Sequence, residues 1–360
     1  MEGKPVPQVI AWESTRACRF ACRHCRANAQ TEADPSQLST EEAFRMIDEI
    51  AEFSKPLLII SGGDPLLRND IFEVAAHADK KGLKVVMSPS GSVITDQTID
   101  RMKSSGVRMV SISIDGSDSE THDGFRNVEG SFKTALNTLE TLRRCQMPFQ
   151  INTTVTQHNL KDIQNMFRLA VEQGSISWDV FMLVPTGRAQ VKMEITAEEY
   201  EETLKMIYEW NLTSPMPIKM TCAPHYMRII AQSEKMAGKE SLLRAGNRVQ
   251  GRKPSSRMGG RGCMAGNGFC FISNVGEVYG CGFLQIKAGD VRKQNFKTIY
   301  QESPLFESLR NHSLLQGRCG VCEYKTVCGG CRARALGAVQ NFLGEEPYCT
   351  YNPAIEKLVR

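Results

Sequence analysis

Short β-rich runs alternate with longer amphipathic segments from residue 9 to about residue 210, and this alternation limits the possible fold more than any other feature. The predicted strands are Val9–Trp12, Pro56–Ile60, Leu83–Met87, Val107–Ile114, Phe149–Val155 and Val180–Val184. The predicted helices are Thr40–Phe53, Asp70–Lys81, Asp96–Ser104, Ser131–Arg144, Leu160–Glu172 and Thr196–Trp210. Two of these helices begin with a capping-box pattern, at Ser39 and at Thr196. Alternating units of about 30 residues predict an α/β fold with a parallel sheet.

The bulk composition narrows the class of protein. With 360 residues, of which 41% are apolar, the chain has enough material for one large domain and an appendage. A net charge of +4 gives no reason to expect a nucleic-acid partner. Residues 1–7 lack the apolar core of a signal peptide, and no stretch approaches the roughly 18 apolar residues of a membrane span. We therefore expect a cytoplasmic protein that binds neither nucleic acid nor membrane.

Three cysteines, Cys18, Cys22 and Cys25, follow the first predicted strand with the spacing Cys-x3-Cys-x2-Cys. With 13 cysteines in the chain, chance would produce roughly 0.02 such triplets. Three thiolates can hold three irons of a four-iron cluster and leave the fourth iron open to a small molecule. A zinc site is the alternative, and it would need His24 or a distant residue as the fourth ligand. Disulfides are disfavoured in a chain without an export signal.

This triplet, placed after a short apolar strand, resembles the signature of the radical S-adenosylmethionine (radical SAM) superfamily. S-adenosylmethionine itself is abbreviated AdoMet. The resemblance implies that Cys18, Cys22 and Cys25 hold a [4Fe–4S] cluster with AdoMet at its open iron. In that superfamily the reduced cluster cleaves AdoMet, and a 5′-deoxyadenosyl radical removes a hydrogen atom from an unreactive C–H bond. The resemblance also implies a partial (β/α)6 TIM-like barrel, with functional loops after the carboxyl ends of the strands. A reducing partner such as flavodoxin or ferredoxin is expected.

The run Ser61-Gly62-Gly63-Asp64-Pro65 resembles the Gly-Gly-Glu-Pro motif of the superfamily, with aspartate in place of glutamate. The resemblance implies that Gly62, Gly63 and Asp64 bind the AdoMet amino group. Other polar residues at strand ends are expected to face the ribose and carboxylate of AdoMet, and the alternative is that they form turns. These residues are Ser90, Ser113, Asp115, Arg126 and Asn152.

A second group of cysteines occupies the last hundred residues or so, and its spacing resembles the SPASM extension of radical SAM enzymes. It departs at Cys331, which follows Cys328 after two residues where that family usually has three. The resemblance implies one or two auxiliary [4Fe–4S] clusters, and zinc ribbons are the alternative. One cluster would use Cys263, Cys270, Cys281 and Cys331, and the other Cys319, Cys322, Cys328 and Cys349. Two cysteines, Cys145 and Cys222, are expected to be buried free thiols.

These patterns predict three regions: a radical SAM barrel at 1–215, a basic linker or lid at 216–262, and an auxiliary iron-sulfur domain at 263–360. Residues 228–261 carry nine Lys or Arg against two acids. Arg16, Arg19, Arg23, His24 and Arg26 surround the first triplet and add positive charge. This charge would suit an anionic substrate with carboxylates, because arginine binds carboxylates in a bidentate manner. A solvated linker is the alternative interpretation of the basic segment.

The runs 185–188, 221–226 and 266–273 resemble those of the heme b synthases of the siroheme-dependent heme pathway. That resemblance implies an iron tetrapyrrole substrate, Fe-coproporphyrin III, in which two propionates are oxidatively decarboxylated to vinyl groups to give heme b. Arg188, Arg228 and Arg261 are candidates to hold propionates, and His225 is a candidate iron ligand or positioning residue, with a purely structural role as its alternative.

Other functions remain open from the sequence. Didecarboxysiroheme deacetylases and heme d1 maturases share most of these motifs, and many SPASM proteins modify peptides. An electron carrier or cluster scaffold would explain the second group of cysteines. It would leave the incomplete triplet and the Gly62-Gly63 loop without a purpose.

Overall fold

The computed structural model describes residues 4–91, 93–236 and 262–353. Within these ranges one mixed sheet of ten strands runs through the molecule in the order β10-β9-β8-β1-β2-β3-β4-β5-β6-β7. The strands are β1 (Val9–Glu13), β2 (Leu57–Ser61), β3 (Lys84–Met87), β4 (Val107–Ser113), β5 (Phe149–Val155), β6 (Trp178–Met182), β7 (Ile218–Thr221), β8 (Phe269–Ile272), β9 (Glu277–Tyr279) and β10 (Lys287–Asp290).

Helices connect the parallel strands and cover the sheet. In the described part of the chain they are α1 (Thr40–Phe53), α2 (Ile71–Lys80), α3 (Asp96–Ser104), α4 (Ser119–Arg126), α5 (Ser131–Arg144), α6 (Ile163–Glu172), α7 (Ala197–Thr213), α8 (Tyr226–Met236), α9 (Phe296–Glu302), α10 (Pro304–Arg310), α11 (Gly317–Val321) and α12 (Arg332–Val339). Both predicted capping boxes are present, at Ser39 of α1 and at Thr196 of α7.

The predicted α/β architecture is confirmed. Strands β1 to β7 are parallel in chain order, which is the arrangement of a partial α/β barrel. Their interior positions are apolar, and alternate residues such as Ile10, Trp12, Leu58 and Ile60 are fully buried. Helix α1 buries residues at helical spacing, from Ala43 to Ile50, against this core. The loops after the strands therefore meet at one edge of the sheet.

The expected linker at 216–262 is wrong in its first part, because residues 218–236 belong to the barrel. Ile218–Thr221 pairs in parallel with β6, and Tyr226–Met236 buries Met227, Ile229 and Ile230. The strand Ile218–Thr221 lacks the run of apolar residues that identifies the equally short β3. The basic residues nearby obscured the apolar face of the helix. The rest of the predicted lid, 237–261, lies outside the described residues.

The cysteine-rich region is joined to the barrel through the sheet. Strand β8 pairs in parallel with β1, with Val9 opposite Phe269 and Trp12 opposite Ile272. Strands β9 and β10 extend the sheet beyond β8 in antiparallel fashion. The two cysteine groups are therefore held on one continuous scaffold.

Candidate functional site

The first cysteine triplet lies on the loop that follows β1, at the carboxyl edge of the sheet. Each of its sulfurs accepts a hydrogen bond: the N–H of Phe20 donates to Cys18 at 3.3 Å, the N–H of Ala29 to Cys25 at 3.4 Å, and a guanidinium to Cys22. Donors around cysteine sulfurs stabilise thiolates and tune the potential of a bound cluster. The chemistry of this donor set fits three ligands of an iron-sulfur cluster.

The Gly62-Gly63 turn after β2 packs directly on the backbone of the triplet loop. The N–H of Gly63 donates to the carbonyl oxygen of Thr15 at 2.7 Å, and the N–H of Asp64 donates to that of Ala17 at 2.7 Å. A Cβ atom on Gly63 would lie 2.3 Å from the Ala17 oxygen, and one on Gly62 would lie 2.5 Å from the Thr15 oxygen. Only glycine permits this approach. The two glycines thus shape the triplet loop as well as being predicted AdoMet contacts.

Two predicted AdoMet-binding residues, Asp64 and Ser90, are neighbours beside Cys18. The Ser90 hydroxyl donates to Asp64 Oδ2 at 2.7 Å, and the N–H of Leu66 donates to Asp64 Oδ1 at 3.1 Å. Burial raises the pKa of the Cys18 thiol, and the charge of Asp64 adds to this shift. The predicted contact residues after β2 and β3 therefore lie next to the predicted cluster.

Asp115 and Arg126, also predicted to contact AdoMet, form an ion pair with each other. Arg126 Nη2 lies 2.5 Å from Asp115 Oδ2, and Arg126 Nη1 donates to the Cys22 sulfur at 3.6 Å. Burial alone would raise the pKa of Asp115, but the charge of Arg126, the neighbouring histidines and the backbone N–H of Thr154 together lower that pKa below its usual value. Burial opposes the charge of Arg126, yet Asp115 and Cys22 raise its pKa. Both groups are therefore charged, and together they brace the triplet loop.

The remaining predicted AdoMet contacts, Ser113 and Asn152, stand opposite each other in the parallel pairing of β4 and β5. Both are half-buried, and Asn152 Oδ1 accepts a hydrogen bond from Gln150 Nε2 at 2.7 Å. Their contact with AdoMet stays a prediction.

Arg188 holds the triplet loop instead of projecting toward a substrate. Its Nε donates to the carbonyl oxygen of Cys22 at 2.9 Å and its Nη1 to that of Ala29 at 2.8 Å. Its backbone N–H donates to the carbonyl oxygen of Cys25 at 3.0 Å. The predicted propionate contact of Arg188 is not supported, because two of its three guanidinium nitrogens bind the backbone of the cluster loop. Arg188 is a positioning residue here.

The positive field expected around the triplet is partly neutralised by Glu13, a residue that the sequence patterns did not single out. Glu13 is fully buried and pairs with Arg16 at 2.8 Å and with Arg26 at 2.6 Å. His24 stacks on Phe125 at 4.1 Å, and burial of its ring lowers its pKa to about 4, so it is neutral. An acidic residue at the end of β1 was the only signal of this arrangement in the sequence.

Four cysteines of the second group line one cavity, as their predicted grouping required. They are Cys319, Cys322, Cys328 and Cys349. The N–H of Glu346 donates to the Cys319 sulfur, and the N–H of Gly330 donates to the Cys328 sulfur, each at 3.4 Å. Four thiols with backbone donors around a cavity fit a fully thiolate-ligated auxiliary cluster.

The same cavity is lined by His225 and Arg228, which had been predicted to contact the tetrapyrrole. Arg228 Nη1 donates to Glu201 Oε1 at 3.1 Å, and its Nη2 also pairs with Glu201. His225 is fully buried, and this burial lowers its pKa to about 4. These two predictions are not supported by the structure, since both side chains face the second cysteine group. Arg261 lies outside the described residues.

The other predicted auxiliary group is brought together only in part. Burial raises the pKa of Cys281 to about 12, and the nearby thiols Cys263 and Cys331 add to this shift. Burial also raises the pKa of Cys331, and Cys263 adds to that shift. Cys270 lies apart from them, fully buried on β8 and opposite Ile10 of β1. Besides burial, only Arg310 affects its pKa. The structure does not support the predicted ligand role of Cys270, because the pairing of β8 with β1 buries its side chain away from the group.

Among the described residues, no group of three or more His, Cys, Asp or Glu side chains is arranged to hold a single metal ion. An iron-sulfur cluster does not need such a group, because its cysteines bind different irons. No described helix has the length and apolar content needed to cross a bilayer.

Comparison with known proteins identifies the families of the barrel and of the cysteine-rich region. Residues 12–170 match the radical SAM superfamily, and residues 263–332 match the SPASM family, described as an iron-sulfur cluster-binding domain. An AdoMet-dependent heme synthase from Methanosarcina barkeri is 44% identical, with 96% of this chain and 97% of that protein covered. From the same organism, an Fe-coproporphyrin III synthase is 29% identical, with coverage of 95% and 87%.

The solved structures show the same fold. The crystal structure of Streptococcus suis SuiB bound to precursor peptide SuiA has a TM-score of 0.73 and 15% identity, and covers 96% of this chain and 76% of that one. A radical SAM enzyme uses a [4Fe–4S] cluster and AdoMet, and a SPASM domain carries auxiliary iron-sulfur clusters. The protein belongs to the AdoMet-dependent heme synthase family of radical SAM enzymes.

Proposed function

We propose that this protein converts Fe-coproporphyrin III to heme b by oxidative decarboxylation of two propionate side chains. The observation that carries the proposal is 44% identity over nearly the whole length of a relative named AdoMet-dependent heme synthase. The relative named Fe-coproporphyrin III synthase supports the choice of substrate, because the organism that has the heme synthase also has an enzyme named for that tetrapyrrole.

Each propionate must lose carbon dioxide, one hydrogen atom and one electron to become a vinyl group. When bound, the cluster and AdoMet supply a 5′-deoxyadenosyl radical, which takes the hydrogen atom from the β-carbon and becomes 5′-deoxyadenosine. The electron left behind needs an acceptor, and the auxiliary cysteine groups would hold one. Reduction of the first cluster needs an external one-electron donor, and a flavodoxin or ferredoxin has the required chemistry.

Arg19 and Arg23 are the cations best placed to attract a carboxylated tetrapyrrole. Both are exposed on the triplet loop, and neither forms an ion pair with another described residue. Arg16 and Arg26 are paired with Glu13, and Arg188 binds backbone oxygens. Because an arginine fork matches a carboxylate, Arg19 and Arg23 would orient propionates beside the radical site. Arg261, outside the described residues, stays a candidate for the same role.

The experiment is an anaerobic incubation of reconstituted protein with AdoMet, a reductant and Fe-coproporphyrin III. The expected product is a porphyrin lighter by two carbon dioxides and four hydrogens, formed together with 5′-deoxyadenosine and detected by mass spectrometry. Unchanged Fe-coproporphyrin III in a sample that still cleaves AdoMet would reject this substrate. Didecarboxysiroheme would then be tested as the substrate. Binding of each tetrapyrrole to the protein would be measured by the shift of its Soret band.

A further inference from the structure

Cys222, which the sequence leaves as a free thiol, immediately follows β7 at the edge of the sheet where the cluster loops lie. Its φ angle of 60° is in the left-handed region, which residues other than glycine adopt at a cost. Such a conformation persists only where the surroundings impose it. The backbone at this position is therefore held in place by its neighbours.

Two side chains hold that backbone by its carbonyl oxygen. Tyr200 of α7 donates its hydroxyl at 2.9 Å, and Arg334 of α12 donates from Nη2 at 3.1 Å. Arg334 also pairs with Glu194 and Glu346 at 3.3 and 3.1 Å, and all three side chains are buried. The cysteine-rich region is thus hydrogen-bonded, through Arg334, to the residue that follows β7.

The same network fixes Cys331. Its N–H donates to Glu346 Oε2 at 2.7 Å, and Cys331 is the residue that precedes α12, the helix that carries Arg334. The N–H of Cys263 donates to the carbonyl oxygen of Cys328 at 2.9 Å, which places Cys263 beside this run. Cys222 and the predicted auxiliary ligands are therefore anchored by one set of contacts.

The electrostatics of the thiols agree with this geometry. Burial raises the pKa of Cys222 well above its usual value, and the neighbouring thiols Cys331, Cys281 and Cys263 raise it further. No cysteine contributes to the pKa of Cys270. Of the two candidates for a fourth ligand, only Cys222 shares the Arg334–Glu346 contacts that fix Cys331, whereas Cys270 is fully buried on β8 opposite Ile10.

We propose that Cys222 is the fourth thiolate of an auxiliary iron-sulfur cluster whose other ligands are Cys263, Cys281 and Cys331. A ligand on the barrel makes this cluster a covalent connection between the two regions of the chain. The three cysteines of the SPASM region leave one iron without a protein ligand, and the thiol after β7 completes the set. This inference does not depend on the tetrapyrrole substrate.

The test uses the full chain in which Cys18, Cys22 and Cys25 are replaced by alanine, so that only auxiliary clusters contribute. Cys222→Ala and the matched control Cys270→Ala are compared for iron and sulfide per chain and for EPR and Mössbauer spectra. We expect Cys222→Ala to lose iron and to replace one four-iron signal with a three-iron signal or none. Cys270→Ala should keep the parent iron content and spectra.

Cys222→Ser keeps the size of the side chain and offers an oxygen ligand, so it tests the proposal if the alanine variant does not fold. We expect a four-iron cluster with a shifted EPR spectrum in Cys222→Ser and no shift in Cys270→Ser. The signal of the cluster held by Cys319, Cys322, Cys328 and Cys349 reports in each sample that the cysteine-rich region is folded. Parent iron content and spectra in Cys222→Ala or Cys222→Ser would overturn the proposal, as would an equal loss in the Cys270 variants.

Discussion

Arg126 donates a hydrogen bond to the sulfur of Cys22 at 3.6 Å while its guanidinium pairs with Asp115 at 2.5 Å. A helix that follows β4 is thereby tied to the loop that follows β1. The contact places a fixed positive charge beside a predicted iron ligand, where it stabilises the thiolate. Arg126 thus links the stability of the barrel to the electronic properties of the site.

Replacement of Arg126 by alanine is expected to destabilise the protein by about 3 kcal/mol, because Asp115 would be left as a buried, unpaired charge. The loss should be measured by chemical denaturation of the apoprotein. Arg144→Ala is the matched control, since Arg144 and Asp96 are both 60% exposed and solvent screens such a pair, so its loss should change stability little. Equal losses in the two variants would contradict the structural role assigned to Arg126.

Gly63→Ala is expected to displace the triplet loop, because the added Cβ would lie 2.3 Å from the Ala17 carbonyl oxygen, a backbone atom that cannot move alone. The variant should reconstitute less of the first cluster, measured as iron per chain, and should lose AdoMet cleavage. Gly337→Ala adds the same methyl group in α12 with nothing within 4 Å, so it should keep both properties and gain up to about 1 kcal/mol. Full iron content in Gly63→Ala would show that the loop accommodates the methyl group.

Alanine at Cys18, Cys22 and Cys25 should abolish formation of 5′-deoxyadenosine from AdoMet under reducing, anaerobic conditions, because three irons lose their thiolates. Cys145→Ala should retain the activity, since Cys145 is a half-buried free thiol at the end of α5. Product is quantified by liquid chromatography. Cleavage of AdoMet by the triple variant at the parent rate would show that these three cysteines are not required for the radical chemistry.

We expect the folded protein to lose stability in mild acid because His122 is buried in its neutral form. Its ring is buried, its Nδ1 accepts the backbone N–H of Asp115 at 3.1 Å, and burial together with Arg126 lowers its pKa to about 4. The unfolded chain, with a histidine pKa near 6.5, binds more protons between those two values. Stability contributed by the neutral ring is therefore present above about pH 6.5 and is lost as pH falls toward 4, by on the order of 3 kcal/mol.

The check is the free energy of unfolding of the parent and of His122→Asn at pH 5 and pH 7.5. The Asn side-chain oxygen can accept the same backbone N–H and does not titrate, so the difference between the two pH values should shrink in the variant. An unchanged difference would assign the acid sensitivity to other groups, of which His24 and His225 have similarly lowered pKa values.

Some features of the site follow from short stretches of sequence. Three patterns each lie within a few consecutive residues and are therefore visible without the fold. They are the spacing of Cys18, Cys22 and Cys25, the Gly62-Gly63 turn and the run Cys319 to Cys328. The strand and helix alternation is visible for the same reason, since it depends on neighbouring residues. The same patterns gave no indication of β7, whose four residues contain no apolar run like that of β3.

The partners of other side chains could not be predicted because those partners are distant in the chain. Arg188 and Arg228 were expected to bind propionates, but one binds the backbone of the triplet loop and the other pairs with Glu201. An arginine in the sequence shows its charge and not the acceptor that it meets after folding. Glu13 was overlooked for the same reason, because its two arginines become partners only when the triplet loop folds back over β1.

The sequence by itself determined the class of chemistry, because the ligands of an iron-sulfur cluster and the glycines of a tight turn must be particular residue types at short, fixed spacings. Only the tertiary structure decided which distant groups meet. Arg126 reaches Cys22 across 104 positions because parallel strands bring their carboxyl ends to one edge of the sheet. Arg334 reaches Cys222 across 112 positions because α12 of the cysteine-rich region lies against the end of β7. The tertiary structure also places Cys222 in the Arg334–Glu346 network that fixes Cys331, and it places Cys270 on β8 opposite Ile10.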